Sequence, residues 1–184
     1  MSKDALLSKD IRVSDYKRLE EKRDRNAIAT FVRNRFRERY IAPIDATPSD
    51  AKSGFSIMAI CCLSIEALES FWNGWEETNG KSQLAFCQFI SRCPRFHALL
   101  GRVPDFYRHI RCGILHQAET TGGWTVLRKG PVFDPKGPTI NATEFHKALS
   151  AEINDYAKLL RTEAWESERW QKFRKKMKAV CDNC

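Results

Sequence analysis

An all-α fold is the class this sequence predicts: a helical bundle with a small β-hairpin insertion. Three observations carry it. Nine Gly and seven Pro in 184 residues are too few for a turn-rich all-β chain. Apolar residues recur at three- and four-residue steps over long stretches, and short polar, Pro- or Gly-bearing breaks separate those stretches. With 42% of residues hydrophobic, the chain can bury a core without disulfides or a structural metal. No internal repeat or low-complexity linker divides it, so residues 1–184 read as one domain, with about 1–12 and 179–184 fraying at the ends.

Along residues 16–41, Ile28, Phe31, Val32, Phe36 and Tyr40 form one helical stripe, with Arg33 and Arg37 on the opposite side. Pro43 and Pro48 bracket a break rich in turn and cap residues: Asp45, Thr47, Ser49 and Asp50. Residues 53–75 are apolar nearly all round, which marks the central core helix, and the segment from Gly74 to Gly80 ends it. A third helix spans 82–93 and stops at Pro94, and a fourth runs from Pro104 through His116. After Gly122 and Gly123, runs at 124–127 and 132–133 flank Gly130 and Pro131 and predict the hairpin. Asn141 followed by Glu144 signals a capped start to a long last helix that carries Phe145, Leu149, Ile153, Tyr156 and Leu160 and continues toward Val180. The sequon at Asn141 is read as this cap rather than as a glycan site.

The first ten residues include Lys3, Asp4, Lys9 and Asp10 and no apolar core of signal-peptide length. Seven cysteines form an odd set, most of them among apolar residues. A reducing cytoplasm is the expected location. The apolar stretch 54–68 is interrupted by Ser56, Ser64 and Glu66 and is shorter than the roughly 20 residues of a spanning helix, so no membrane partner is expected.

The 31 Lys and Arg against 23 Asp and Glu give a formal charge of +8. Nine of the cations fall in residues 17–39 and seven in 161–178. Either run suits an anionic partner, although interleaved glutamates also fit a solvated helix face. In the second run Trp165, Trp170 and Phe173 alternate with basic residues, as on single-stranded nucleic-acid platforms or as core aromatics with basic outer faces.

Candidate chemistry concentrates in residues 105–120, DFYRHIRCGILHQAET, which bring together Arg108, His109, Arg111, Cys112 and His116. Phosphodiester cleavage uses these residue types, an imidazole to move a proton and a guanidinium to hold phosphate oxygens as charge develops. RNA supplies its own nucleophile, the 2′-OH, so neither a metal nor another cofactor is expected. Five residues span about 140° around an ideal α-helix, so Arg111 and His116 meet only if the helix kinks, near Gly113, or if a two-fold mate supplies a second copy of the pair. Glu66 interrupts the core helix and suits a partner for Arg111, a structural buried ion pair or a solvent-facing residue. His109, Cys112 and His116 also have the spacing of a metal array, but no fourth ligand or supporting shell is visible. The terminal Cys181 and Cys184 form a lone CxxC, which reads as a frayed end.

Arg111, four residues and His116 form an R-X4-6-H signature. Together with NRFRERYIAPID (34–45), GFSIMAICCLSIEALESF (54–71) and FYRHIRCGILHQAETTGGW (106–124), it resembles a bacterial branch of the HEPN superfamily over roughly residues 34–124. The resemblance implies a helical bundle, a homodimer with facing motifs and metal-independent endoribonuclease activity on RNA, often in toxin or phage-defence systems with an antitoxin or activating partner. Carried over by residue, it makes Arg111 the phosphate and transition-state ligand and His116 the general acid or base, leaving a 2′,3′-cyclic phosphate. Glu66, Arg108, His109 and Cys112 are the supporting candidates. Cys112 departs from the polar residue common after the family's Arg, and Ala118 stands where some members carry a regulatory tyrosine. Some relatives in that superfamily are inactive, so a non-catalytic RNA- or nucleotide-binding dimerisation module is the alternative.

Overall fold

The computed structural model describes residues 4–48 and 50–184 of the chain. It is predominantly helical, with two small sheets among the described residues. Ser49 and residues 1–3, including Lys3, lie outside the described residues.

Where fraying was expected at residues 1–12, the chain instead forms a hairpin from β1 (Leu6–Ser8) to β2 (Ile11–Arg12). Leu7 is fully buried there and its carbonyl accepts from Arg35 and Arg39, so both side chain and backbone are tied down. The single helix expected over 16–41 is broken into α1 (Val13–Glu21) and α2 (Arg25–Phe36). Arg23 adopts a left-handed backbone (φ 53°) between them, and the Asp24 side chain accepts the Ala27 N–H to start α2. A π-helical turn, Arg37–Ile41, extends α2 into the short α3 (Ala42–Asp45).

The central element is α4 (Gly54–Asn73), packed against α5 (Ser82–Arg92), α8 (Ala142–Thr162) and α9 (Glu168–Asp182). It matches the core helix expected over 53–75, and although the apolar stretch 54–68 is too short to span, the whole of α4 is, among the described residues, the one helix long and apolar enough to cross a membrane. Yet 61% of its most apolar window is buried inside the fold, as a core helix requires. Gly74 ends it at φ 68°, where a Cβ would come within 2.9 Å of the Lys172 backbone; the turn and the approach of α9 both need glycine. On the flank of α4, fully buried Glu69 pairs with Arg92, whose guanidinium lies 3.7 Å from the centre of the Trp72 ring. That ring also carries Arg169 at 3.5 Å.

After a 3₁₀ turn, Pro94–Leu99, the chain enters α6 (Val103–Phe106), a second π-helical turn (Tyr107–Cys112) and α7 (Gly113–Gln117). The helix expected from Pro104 to His116 is therefore present as a path but is wide in its middle. Strands β3 (Thr125–Leu127), β4 (Phe133–Asp134) and β5 (Thr139–Asn141) come next. The expected hairpin between the first two is corrected: β5 lies between them, parallel to β3 and antiparallel to β4. Trp124 stacks on Phe133 of β4 at 5.4 Å and meets Phe106 of α6 edge-on at 6.2 Å, and Phe106 stacks on Phe145 of α8 at 5.6 Å, so the sheet segment, α6 and α8 form one aromatic chain.

Asn141 caps α8 by accepting from the Thr143 and Glu144 N–H groups. The long last helix is divided at residues 163–167, where Ser167 accepts from Trp170 and opens α9. That helix reaches Asp182, so most of the expected frayed end at 179–184 is helical. All seven cysteines are free thiols.

Candidate active site

Arg111 ends the wide turn and His116 sits in α7, with Gly113 between them. A π-helical turn closes its hydrogen bond from i to i+5 and therefore inserts one extra residue into the helical repeat. The widening ends at Cys112 and the interval from there to His116 runs through α7, so the long Arg111 side chain spans the remaining angle. The Arg111 Nη1 donates to His116 Nε2 at 3.2 Å. A guanidinium has only donors, so Nε2 acts as the acceptor and the ring proton sits on Nδ1. The helix is irregular just before Gly113 rather than kinked at it, and the two side chains meet within a single copy of the chain.

The segment after α7 doubles back over the helix. Ala118 turns with φ 55°, the Glu119 N–H reaches the Gly113 carbonyl at 3.4 Å and the Thr121 N–H reaches the His109 carbonyl at 3.2 Å. A Cβ on Gly113 would lie 2.5 Å from the Glu119 carbonyl oxygen, so glycine permits the close approach.

Glu66 rises from α4 beneath Arg111. Its Oε1 accepts from Arg111 Nε at 2.9 Å and its Oε2 accepts from Ser82 Oγ at 2.8 Å. Both side chains are largely buried, at 15% exposure for Arg111 and 11% for Glu66, whereas His116 is exposed. Burial alone would lower the guanidinium's pKa, but the hydrogen bond and charge of Glu66 more than offset it and the net shift is upward. Tyr107 places its ring 5.6 Å from the guanidinium, and burial raises its hydroxyl's pKa. Arg111 is thus oriented on three sides, with Nε on Glu66, Nη1 on His116 and Tyr107 alongside. Its Nη2 has no hydrogen-bond partner among the described residues.

The supporting candidates divide. Cys112 is half-buried beside Arg111, and burial pushes the neighbouring Cys62 thiol well up. Arg108 is exposed and makes no ion pair among the described residues. His109 turns to the returning segment, where Nδ1 meets Thr121 Oγ1 at 2.8 Å and the ring packs where a Cβ on Gly122 would lie. It holds that segment rather than joining Arg111 and His116. No three His, Cys, Asp or Glu side chains converge as a metal set among the described residues.

Two contributors escaped sequence reasoning. Tyr107 precedes Arg111 by one helical turn, a spacing that could have disclosed it. Ser82 stands in the sequence simply as a helix start; its bond to Glu66 depends on how α5 packs against α4, which no local pattern records.

The basic runs are largely committed to structure. Arg25 donates to the Glu163 carbonyl, Arg161 to Thr30, Arg169 to the Trp72 carbonyl and Arg174 to the Trp165 carbonyl. Trp170 and Phe173 are fully buried, and Trp165 packs on Trp170 at 4.5 Å. These aromatics build the core and are not an open stacking platform.

Compared with protein-family models, with curated proteins and with solved structures, the chain has no match in any of the three.

Proposed function

We propose that the chain is a metal-independent endoribonuclease of HEPN type, working in the cytoplasm as a homodimer. The observation that carries the reading is the contact of Arg111 with His116 across five residues, with Glu66 bracing the guanidinium from below. In this reading Arg111 Nη1 leaves His116 Nε2 for a phosphate oxygen when RNA binds, and the freed Nε2 accepts the proton of the ribose 2′-OH as that oxygen attacks the neighbouring phosphorus. The P–O2′ bond forms, the P–O5′ bond breaks, and the leaving 5′-oxygen takes up a proton. Arg111, with Nη2 open, neutralises the charge that grows on the non-bridging oxygens. Glu66 positions Arg111 and does not touch the substrate.

The products are a 2′,3′-cyclic phosphate and a 5′-hydroxyl. One imidazole serves one proton transfer at a time and the reaction needs an acid and a base, so a second copy facing the first supplies the complementary histidine. Arg108, exposed one turn before Arg111, extends the cationic surface toward the RNA. An antitoxin or activating partner restrains or releases the activity in the cell.

One observation favours the binding-only alternative. Half-buried Cys112 occupies the position after Arg111 where a polar group would add a further hydrogen bond to substrate. That reading gives RNA binding that weakens steeply with salt and no strand scission. End-group analysis of incubated RNA decides between them: a 2′,3′-cyclic phosphate supports the nuclease, and intact RNA at concentrations that saturate binding supports the binder.

A further inference from the structure

A cleft of about 600 Å³ opens beside the candidate site, between the α2 end of the chain, α4 and α9. Arg35 and Arg39 line it from one side and Lys176 from the other, with Phe36 and Tyr40 in its wall and Glu66 at its edge. Glu66 is the same carboxylate that holds Arg111, so cleft and site share a wall.

The three cations have no carboxylate partner within 4 Å among the described residues. Their hydrogen bonds go to neutral carbonyls: Arg35 and Arg39 converge on the Leu7 carbonyl, and Lys176 Nζ donates to the Glu76 carbonyl at 2.8 Å. Two guanidiniums on one oxygen set like charges side by side. Burial and then the Arg39 charge lower the pKa of Arg35; burial and then the Arg35 charge lower that of Lys176. Of the acids lining the cleft, Glu66 pairs with Arg111, Glu76 reaches Lys175 at 3.9 Å and Glu77 accepts from Asn79 at 3.0 Å; the charges of Glu76 and Glu77 still favour protonated Lys176, less strongly than burial and Arg35 oppose it. Crowded cations, Arg35 and Lys176 half-buried and Arg39 exposed, with no ion pair of their own among the described residues, fit an anion that arrives from outside. Half-buried Tyr40, tilted against Phe36 at 5.9 Å, offers a ring beside them. Cations next to an aromatic face are what a single strand of nucleic acid uses, phosphate on one and base on the other.

We propose that this cleft is a second phosphate subsite, in which Arg35, Arg39 and Lys176 hold a phosphate of single-stranded RNA and Tyr40 stacks the adjoining base while the scissile bond lies at Arg111 and His116. The proposal rests on the reading of RNA as substrate. It assigns the strand's direction across the molecule: from Arg111 past Glu66 and into the cleft.

The test is the salt dependence of binding of a labelled single-stranded RNA to the full chain carrying His116→Ala, measured by fluorescence anisotropy between about 50 and 200 mM salt. Adding Arg39→Gln with Lys176→Gln removes two of the three cations on that one phosphate, so the slope of log K against log salt becomes shallower by up to about 0.7, the value for one phosphate contact on a single strand. Arg39→Lys with Lys176→Arg keeps the charges and keeps the slope. Tyr40→Ala weakens binding about tenfold with the slope unchanged. An unchanged slope in the double glutamine variant overturns the subsite, as does an equal loss from Lys175→Gln with Lys178→Gln on the same helix. Cleavage by the unsubstituted chain is scored separately. Cleavage with an unchanged slope rejects the subsite alone, and a shallower slope without cleavage rejects the nuclease alone.

Discussion

Arg111 and His116 touch, Nη1 to Nε2 at 3.2 Å, although an ideal α-helix would set them about 140° apart. The wide turn over Tyr107–Cys112 lies before most of that interval, which runs through α7, so the reach of the long Arg111 side chain closes the angle, while the returning segment after α7 packs against Gly113. π-helical turns of this kind are frequent at functional sites, where an inserted residue re-aims a side chain.

Gly113→Ala separates this account from a simple helical one. In an ordinary helix the change stabilises by up to about 1 kcal/mol. Here the new Cβ would press on the Glu119 carbonyl at 2.5 Å, and the backbone must shift. The expected result is a net loss of about 1–2 kcal/mol in urea unfolding, together with reduced RNA cleavage because His116 moves with the segment.

Glu66→Ala leaves Arg111 without its carboxylate in a largely buried place and Ser82 without its acceptor. Breaking a fully buried pair costs about 3–5 kcal/mol, and the residual exposure here puts the loss nearer 2–3 kcal/mol. Cleavage falls further than stability alone explains, because the guanidinium is free to rotate away from His116. Denaturant titration and cleavage rates at one RNA concentration, read on the same preparation, check both parts.

Glu69 gives the pH prediction. Its side chain is fully buried and burial raises its pKa above the ordinary 4.5, with Arg92 and Asn73 only partly opposing the shift. A carboxyl whose folded pKa is raised contributes stability that is present below the unfolded value and lost as pH rises through the folded one. The stability of the unsubstituted chain relative to Glu69→Gln is therefore highest in acid and declines as pH rises from about 4.5. Paired urea titrations from pH 4 to 7 measure the trend, and a difference that grows with pH contradicts it.

Asn141 carries two jobs, capping α8 through Oδ1 and donating from Nδ2 to the Gly130 carbonyl across the sheet. Asn141→Ala is expected to cost about 1–2 kcal/mol and to lower the melting temperature accordingly. Asn141→Asp, which keeps the accepting oxygen, recovers most of the cap.

The features legible in the sequence were chiefly local. The cap at Asn141, the stop at Gly74 and the apolar run of α4 depend on neighbours within a turn or two, and each is where the pattern put it. Residues 22–24 break the first helix without a glycine or proline, because Arg23 is held left-handed and Asp24 caps α2. The Gly130–Pro131 turn suggests a hairpin, but Thr139–Asn141 inserts between the two strands by pairing with β3 residues 14 positions earlier, a non-local choice. Arg111 and His116 could be singled out by chemistry, and Glu66 by its misfit in an apolar helix. The widened turn that carries Arg111, and the cleft built from Arg35, Arg39 and Lys176, arise from packing between distant segments.

The central claim is that Arg111 and His116 cut RNA through its own 2′-OH. Its most direct test incubates the full chain with a labelled RNA in excess EDTA, beside an all-deoxy copy of the same oligonucleotide and the His116→Ala variant. The account predicts that the RNA alone is cut, that EDTA does not prevent it and that His116→Ala abolishes it. Cleavage of the deoxy strand, or undiminished cleavage by His116→Ala, would contradict it.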